Sequence, residues 1–152
     1  MTISIDQIKQ LREETSAGIM DCRRALDEAK GDMKKAAALL RKWGVEKAEK
    51  KSDRATAQGI IYTYVHHGDK VGVMIELNCE TDFVARTDEF KKLAHELALQ
   101  IASMNPKDID TLLSQEYIRD TSQTMREMIK SVIGKLGENI TVKRFVRYEI
   151  GV

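Results

Sequence analysis

The sequence comprises 152 residues, of which 42% are hydrophobic and 32% charged, enough for one ordinary domain or for a small module joined to a compact core. Its 25 basic and 24 acidic residues leave a formal net charge of +1, so we expect no bulk attraction to nucleic acid or to an anionic membrane. The N-terminus lacks a signal pattern, and no run approaches the ~18 apolar residues of a membrane helix. These features predict a cytoplasmic protein with no membrane segment.

The first 44 residues carry the apolar periodicity of three short helices. Ser4 and Gln7 stand in capping-box register at the start of the first helix, which stops before Gly18. The second helix ends at Gly31 and the third at Gly44, since glycine readily supplies a left-handed terminal residue. Helices this short bury their apolar stripes only against one another, which predicts a compact three-helix bundle.

Residues 45–58 have a different composition, with one aliphatic residue larger than alanine and a surplus of lysine and arginine. Nothing in this stretch is expected to hold it to a core, so we predict a helical or loose connector. A boundary near Asp53 then divides the chain into a three-helix domain with its linker, residues 1–53, and a second domain, residues 54–152.

After the connector, apolar residues first alternate and then return to helical spacing. The pattern predicts an α+β domain in which helices cover one face of a three-stranded antiparallel sheet. The predicted elements are hairpin strands at 59–66 and 71–79, helices at 87–104 and 125–136, and a terminal strand at 140–150.

The last helix and the terminal strand are joined by Gly137-Glu138-Asn139, which we interpret as a helix stop and a turn. In the terminal strand, the alternation from Ile140 to Ile150 predicts one apolar face on which Arg144 is the exception.

The segment joining the second hairpin strand to the next helix contains Thr81, Asp82, Phe83 and Val84. In one interpretation, Thr81 or Asp82 caps a helical turn and Phe83 packs into the core. In the other, Phe83 stays at the surface as an anchor for a pocket on another protein, and Asp82 perturbs the charge beside it. Periodicity does not choose between the two.

Ile19 and Met20 are consecutive at the start of the second helix, where adjacent side chains point about 100° apart. Both cannot face one small core. Either one of them is an ordinary partly exposed residue, or the pair forms a partner-binding lip with Arg12, Arg23 or Arg24 at its rim.

Cys22 and Cys79 lie on apolar stripes with no group arranged to lower a thiol pKa, which predicts buried, inert thiols. The sequence contains no Gly-rich phosphate loop, metal-ligand spacing or Ser-His-Asp arrangement. We therefore expect no metal, no cofactor, no direct nucleotide binding and no enzymatic chemistry. The basic residues between 34 and 54 contain a single aromatic, Trp43, rather than aromatics interleaved among them, so nucleic-acid binding is not favoured.

Three strings, LREETSAGIMDCRRALDEAKGD, ELNCETDFVART and KLGENITVKRFVR, resemble the elongation factor Ts family and occur in its order. The resemblance covers nearly the whole chain and implies a ubiquitin-associated-like three-helix domain, a linker and an α+β core. It also implies a guanine-nucleotide exchange factor that binds the GDP complex of elongation factor Tu and makes no bonds itself.

The resemblance assigns Thr81–Val84 to the element that dislodges Mg²⁺ from elongation factor Tu, with Phe83 as a wedge between partner helices and Asp82 near the metal. Mg²⁺ demands near-ideal octahedral geometry, so a small displacement of its surroundings lowers nucleotide affinity. Further partner contacts implied by the resemblance are Arg12, Ile19, Met20 and Arg23 in the N-terminal domain and Leu136 and Gly137 in the core.

Long members of the family have a duplicated core and a C-terminal module, whereas this chain has one core copy. A homodimer formed through the free edge of the 140–150 strand is therefore a hypothesis, and no cysteine in that strand offers a disulfide across it.

The sequence is also compatible with two rival functions. A general interaction module, recruiting another protein or RNA through the connector, would bind without accelerating nucleotide release. An oxidoreductase using Cys79 would require a thiolate of low pKa.

Overall fold

The computed structural model describes residues 2–152, which contain seven helices and five strands. In chain order the elements are α1 (Ile5–Thr15), α2 (Ile19–Glu28), α3 (Met33–Glu49), β1 (Gln58–Val65), β2 (Val71–Cys79), α4 (Asp82–Ala85), α5 (Asp88–Met104), α6 (Ile109–Ser114), β3 (Glu116–Tyr117), β4 (Asp120–Thr124), α7 (Met125–Leu136) and β5 (Ile140–Glu149).

Helices α1 to α3 pack into the predicted ubiquitin-associated-like bundle. The Ser4–Gln7 capping box starts α1, and the Asp32 side chain caps α3 by accepting the N–H of Lys35. The buried side chains at the centre of the bundle come from all three helices and are Leu11, Cys22, Ala25, Leu26, Ala29, Ala36 and Leu40. The prediction of a three-helix module is confirmed.

Helix α3 does not end at Gly44 as predicted but continues to Glu49, so the helical alternative for the connector is correct over residues 45–49. Gly44 packs against α7, and Ala48 is buried in the core of the second domain. Farther on, the buried side-chain amide of Asn139 donates to the carbonyl oxygens of Ser52 and Arg54 at 3.3 and 2.8 Å. Small residues and backbone groups therefore anchor a stretch whose composition offers little aliphatic surface.

The second domain contains a three-stranded antiparallel sheet in the order β1-β2-β5. The inward side chains of β2, Val73, Ile75 and Leu77, are buried together with those of α5 and α7. The predicted α+β architecture, with helices on one face of the sheet, is confirmed.

The terminal strand does not present one continuous apolar face, which corrects the prediction. Glu76 pairs with Arg144 and Leu77 with Val142, so Lys143 is an extra residue that forms a β-bulge. Ile140 lies in the core, but beyond the bulge the inward side chains are Phe145 and Arg147, while Val146, Tyr148 and Ile150 are exposed on the outside.

A small hairpin, β3–β4, was not predicted and is held against α5 by two buried polar residues. The Glu96 carboxylate accepts the Tyr117 hydroxyl at 2.8 Å and pairs with Arg119 at 2.9 Å. Gln100 donates to the carbonyl of Glu116 and accepts the N–H of Ile118. The pattern of apolar residues does not predict this role because Glu96 and Gln100 are polar.

No helix within residues 2–152 combines the length and the low charge needed to cross a bilayer.

Candidate functional site

The candidate site is centred on α4, a single helical turn directly after the central strand of the sheet. Thr81 caps it by accepting the N–H of Val84 on its hydroxyl at 3.4 Å. Ala85 is buried and Val84 half-buried against the core, whereas the Phe83 side chain is 76% exposed. The interpretation in which Phe83 packs into the core is therefore wrong.

Asp82 lies beside Phe83 on the exposed side of this turn. Its carboxylate forms an ion pair with Arg86, one turn farther along the chain, and both side chains remain substantially exposed. A surface ion pair contributes little free energy, so the Asp82 carboxylate can leave Arg86 at small cost when a partner binds.

The base of α4 is attached to the turn between α7 and β5. The Glu138 carboxylate accepts the backbone N–H of Thr81 at 2.9 Å and its hydroxyl at 2.7 Å. In return, the Glu80 carboxylate accepts the backbone N–H of Asn139 at 2.8 Å. Sequence reasoning interpreted Glu138-Asn139 as a plain turn, because no local pattern points to partners so distant along the chain.

Cys79 lies under the same segment, where its thiol donates to the Thr81 carbonyl at 3.1 Å. Burial raises the pKa of this thiol to about 11, and the nearby charge of Glu138 adds to the shift. Burial also raises the pKa of Cys22. Both thiols are buried, as predicted, and Cys79 lacks the thiolate that the oxidoreductase interpretation requires.

The start of α2 forms a second exposed apolar region. Ile19 is 54% and Met20 73% exposed, so neither side chain joins the bundle core. Arg12 and Arg23 are exposed on neighbouring helices, whereas the Arg24 guanidinium stacks over Trp43 at 4.1 Å. Both apolar residues thus point outward, which agrees with the prediction that they cannot both face the core and leaves the pair free to form a lip.

Leu136 and Gly137 end α7 and differ in accessibility. Leu136 is half-buried and packs against the core, while Gly137 is exposed in the left-handed conformation with φ 78°. That backbone favours glycine, and it turns the chain toward Glu138.

One exposed region lies on the three-helix bundle and the other beside the sheet, and packed helices join these two parts of the fold. Asp21 of α2 pairs with Lys47 of α3 at 2.8 Å, and Gly44 of α3 lies against Gly134 of α7. Helix α7 then leads to Glu138, which holds Thr81. The bundle and the α4 segment are therefore parts of one continuous packed structure.

Within residues 2–152, no three His, Cys, Asp or Glu side chains are grouped to hold a metal ion. Exposed aromatic and methionine side chains on a firmly packed scaffold are typical of a protein-binding molecule.

Comparison with known proteins agrees with this class. The family described as "Elongation factor TS" matches residues 80–151. The chain is 42% identical over 196 aligned positions to "Elongation factor Ts" of Coprothermobacter proteolyticus, covering 99% of this chain and 100% of the relative. It is 44% identical over 194 positions to "Elongation factor Ts" of Thermotoga maritima, covering 99% and 98%. The chain belongs to the elongation factor Ts family, and its role is in translation elongation.

Proposed function

We propose that this protein is a cytoplasmic guanine-nucleotide exchange factor for elongation factor Tu. It binds the GDP complex, disturbs the Mg²⁺ site through Thr81–Val84 and promotes GDP release so that GTP can bind. It makes and breaks no covalent bond, so it is not an enzyme in the usual sense.

The observation that carries this proposal is the exposure of Phe83. A ring that is 76% exposed at the tip of a buttressed helical turn gains much by entering an apolar pocket on a partner. The half-buried Val84 behind it and the anchored Thr81 at its base keep the ring projecting.

Disturbance of a Mg²⁺ site is sufficient for exchange. Mg²⁺ bound to nucleotide phosphates tolerates little distortion of its octahedral shell, so a wedge that shifts the surrounding protein weakens GDP binding. Binding of the factor and binding of GDP are then negatively coupled, and each lowers the affinity of the other by the same factor.

The exposed lip of the bundle supports the same proposal. Ile19 and Met20, with Arg12 and Arg23, form a second contact with the GTP-binding domain of elongation factor Tu. An apolar centre with arginine at its rim matches the usual make-up of a protein interface. Gly137 is accessible for a core contact, whereas Leu136 offers less surface because it packs inward.

We further infer a homodimer, and the outer face of the sheet is better suited to it than the β5 edge. The alignment with the Coprothermobacter relative spans 196 positions against 152 residues here, so this chain offers less surface. Exposed apolar side chains from all three strands share that outer face, and they are Ile61, Val65, Met74, Val146 and Tyr148.

The exchange activity is tested by the release rate of fluorescent GDP from elongation factor Tu with excess unlabelled GDP. Wild-type protein should accelerate release. The Phe83→Ala variant should bind but accelerate at least about tenfold less, because truncation of an aromatic anchor commonly costs that much.

Met104→Ala is the matched control, since Met104 is 50% exposed at the end of α5, outside the proposed contacts. It should behave like wild type. Binding of the wild-type protein without any acceleration would leave the general interaction module as the better interpretation.

A further inference from the structure

Two reciprocal contacts clasp the base of α4 to the turn after α7. Glu138 takes both the backbone N–H and the hydroxyl of Thr81, while Glu80 takes the backbone N–H of Asn139. Each acidic side chain thus binds the backbone of the opposite segment. Hydrogen bonds to carboxylates are stronger than those between neutral groups, so the two segments are joined at a defined spacing.

The turn side of this clasp is fixed independently of α4. Asn139 is 4% exposed, and its side-chain amide donates hydrogen bonds to the carbonyl oxygens of Ser52 and Arg54 after α3. The Arg54 guanidinium also lies 3.6 Å from Glu80. Glu138 therefore projects from a turn that is also tied to the segment after α3.

The α4 side, by contrast, has little helical stability of its own and depends on its contacts with the rest of the fold. Asp82–Ala85 is one turn, and an isolated turn of helix is unstable because nucleation fixes several residues for one hydrogen bond. The long 3.4 Å capping bond to Val84 adds little by itself. When the Thr81 hydroxyl donates to Glu138, its lone pairs are left free to accept from Val84, so the carboxylate also orients the cap.

We propose that Glu138 is a positioning residue for Phe83, acting through Thr81 to hold the exposed ring in its projecting orientation before a partner binds. The proposal deepens the exchange function and rests on it for its effect on nucleotide release. Glu138 contacts the α4 segment through Thr81, so its removal should lower the release rate at saturation more than it lowers the affinity.

The test compares Glu138→Gln with Glu127→Gln in the full-length protein. Glu127 is the control because its carboxylate also accepts from a threonine, taking the backbone N–H of Thr124 at 2.8 Å and the hydroxyl at 3.4 Å in the capping box at the other end of α7. Glutamine keeps the size of the side chain but places an N–H₂ group against one of the two donors.

For each variant, GDP release from elongation factor Tu is measured against factor concentration. Glu138→Gln should lower the release rate at saturation about tenfold, with a half-saturating concentration within about twofold of wild type. Glu127→Gln should follow wild type in both. Equal losses in the two variants, or a weaker affinity with an unchanged saturating rate, would overturn the proposal.

A second readout does not depend on the exchange reaction. Fluorophenylalanine labelling places ¹⁹F on all three phenylalanines, Phe83, Phe90 and Phe145. In free Glu138→Gln the Phe83 resonance should shift or broaden while the two internal rings stay unchanged. If wild type fails to accelerate GDP release, this spectrum alone decides: a changed Phe83 signal supports the positioning role and an unchanged one overturns it.

The coupling through Thr81 is tested by a double-mutant cycle with Thr81→Val. If Glu138 acts through Thr81, the double variant should lose no more saturating rate than the more impaired single variant. Losses that multiply would show that the two residues act separately and would overturn the proposed route.

Discussion

Phe83 and Phe90 are the same residue type in opposite environments, one exposed to solvent and one in the core. The two rings lie on successive helices, yet Phe83 is 76% exposed and Phe90 is fully buried in the core. The free energy gained by burying Phe83 therefore remains available for a partner.

The two phenylalanines should respond oppositely to truncation. Phe90→Ala should lower the free energy of unfolding by roughly 3–5 kcal/mol because it leaves a cavity, whereas Phe83→Ala should change it by less than about 0.5 kcal/mol. Urea unfolding followed by circular dichroism measures both. A large loss of stability in Phe83→Ala would mean that the ring packs against the core after all.

The two thiols should be nearly unreactive in the folded protein. Burial raises the pKa of both thiols, to about 11 for Cys79, and so lowers the share of reactive thiolate. A disulfide reagent should react slowly with native protein and rapidly with both thiols in urea. Fast reaction of one thiol under native conditions would contradict the burial described here.

Residue-level roles were predictable from sequence where the cause is local. The Ser4–Gln7 capping box depends on a spacing of three residues, and the structure contains it. The orientation of Phe83 was left open because it depends on Glu138, a residue 57 positions from Thr81.

At the scale of elements, the crossing of α3 and α7 depends on Gly134. A Cβ at this position would lie 2.7 Å from the Gly44 Cα and 2.8 Å from its carbonyl oxygen, so the two helices would have to separate. A Cβ at Gly44 would meet Ser131 at 3.7 Å, an ordinary contact.

Gly134→Ala should therefore destabilise the protein although alanine favours helix. Overpacking against backbone costs roughly 1–3 kcal/mol, which exceeds the gain of up to about 1 kcal/mol in helix propensity. Gly44→Ala should be neutral or stabilising for the opposite reason. Thermal unfolding of both variants measures the difference, and equal melting temperatures would contradict the close approach of the helices.

Acid should weaken the helix caps. The N–H of Lys35 holds the pKa of Asp32 below its ordinary 3.8, and hydrogen bonds from the side chain and backbone of Thr111 do the same for Asp108. Both carboxylates bind a proton more weakly in the folded state than in the unfolded state. The stability that these caps add is therefore complete at a pH above the pKa of the unfolded state, and it is lost as the pH falls through the pKa of the folded state.

The free energy of unfolding should thus decrease from about pH 5 to below pH 3. It should decrease less in Asp32→Asn, since asparagine caps a helix without titrating. Urea titrations at several pH values measure this, and an identical pH dependence in the variant would contradict the role of Asp32.

Element boundaries were predictable from sequence where apolar periodicity and caps coincide, as in α5 and α7. Two features escaped because packing decides them. Helix α3 continues through Gly44 because that glycine fits against α7, and the terminal strand changes face at Lys143 because a bulge adds one unpaired residue.

At the scale of the whole molecule, the outer face of the sheet predicts the oligomeric state. Met74 is 48% exposed on the central strand, opposite Thr63 and Val146. A second copy laid on this face would bury a row of apolar side chains from each partner.

Light scattering of wild-type protein should therefore give about twice the monomer mass of 17.3 kDa, and Met74→Glu should return it to the monomer value. A wild-type mass near 17.3 kDa would remove the homodimer. A dimer that survives in Met74→Glu would assign pairing to the β5 edge instead.

The two-part architecture was predictable because composition and periodicity change between the parts. The attachment of the parts was not, since it rests on Gly44, Ala48 and Asn139, whose roles come from small size or backbone contacts rather than from apolar pattern. This attachment holds the lip of the bundle and Phe83 on one scaffold.

In the proposed function, the protein releases GDP by disturbing the Mg²⁺ site of elongation factor Tu. The most direct measurement is the GDP release rate with saturating factor and without factor, in Mg²⁺ buffer and in EDTA. Removing the metal performs the step attributed to the factor, so its acceleration should be large in Mg²⁺ and shrink strongly in EDTA. An equal acceleration in both buffers would contradict the account.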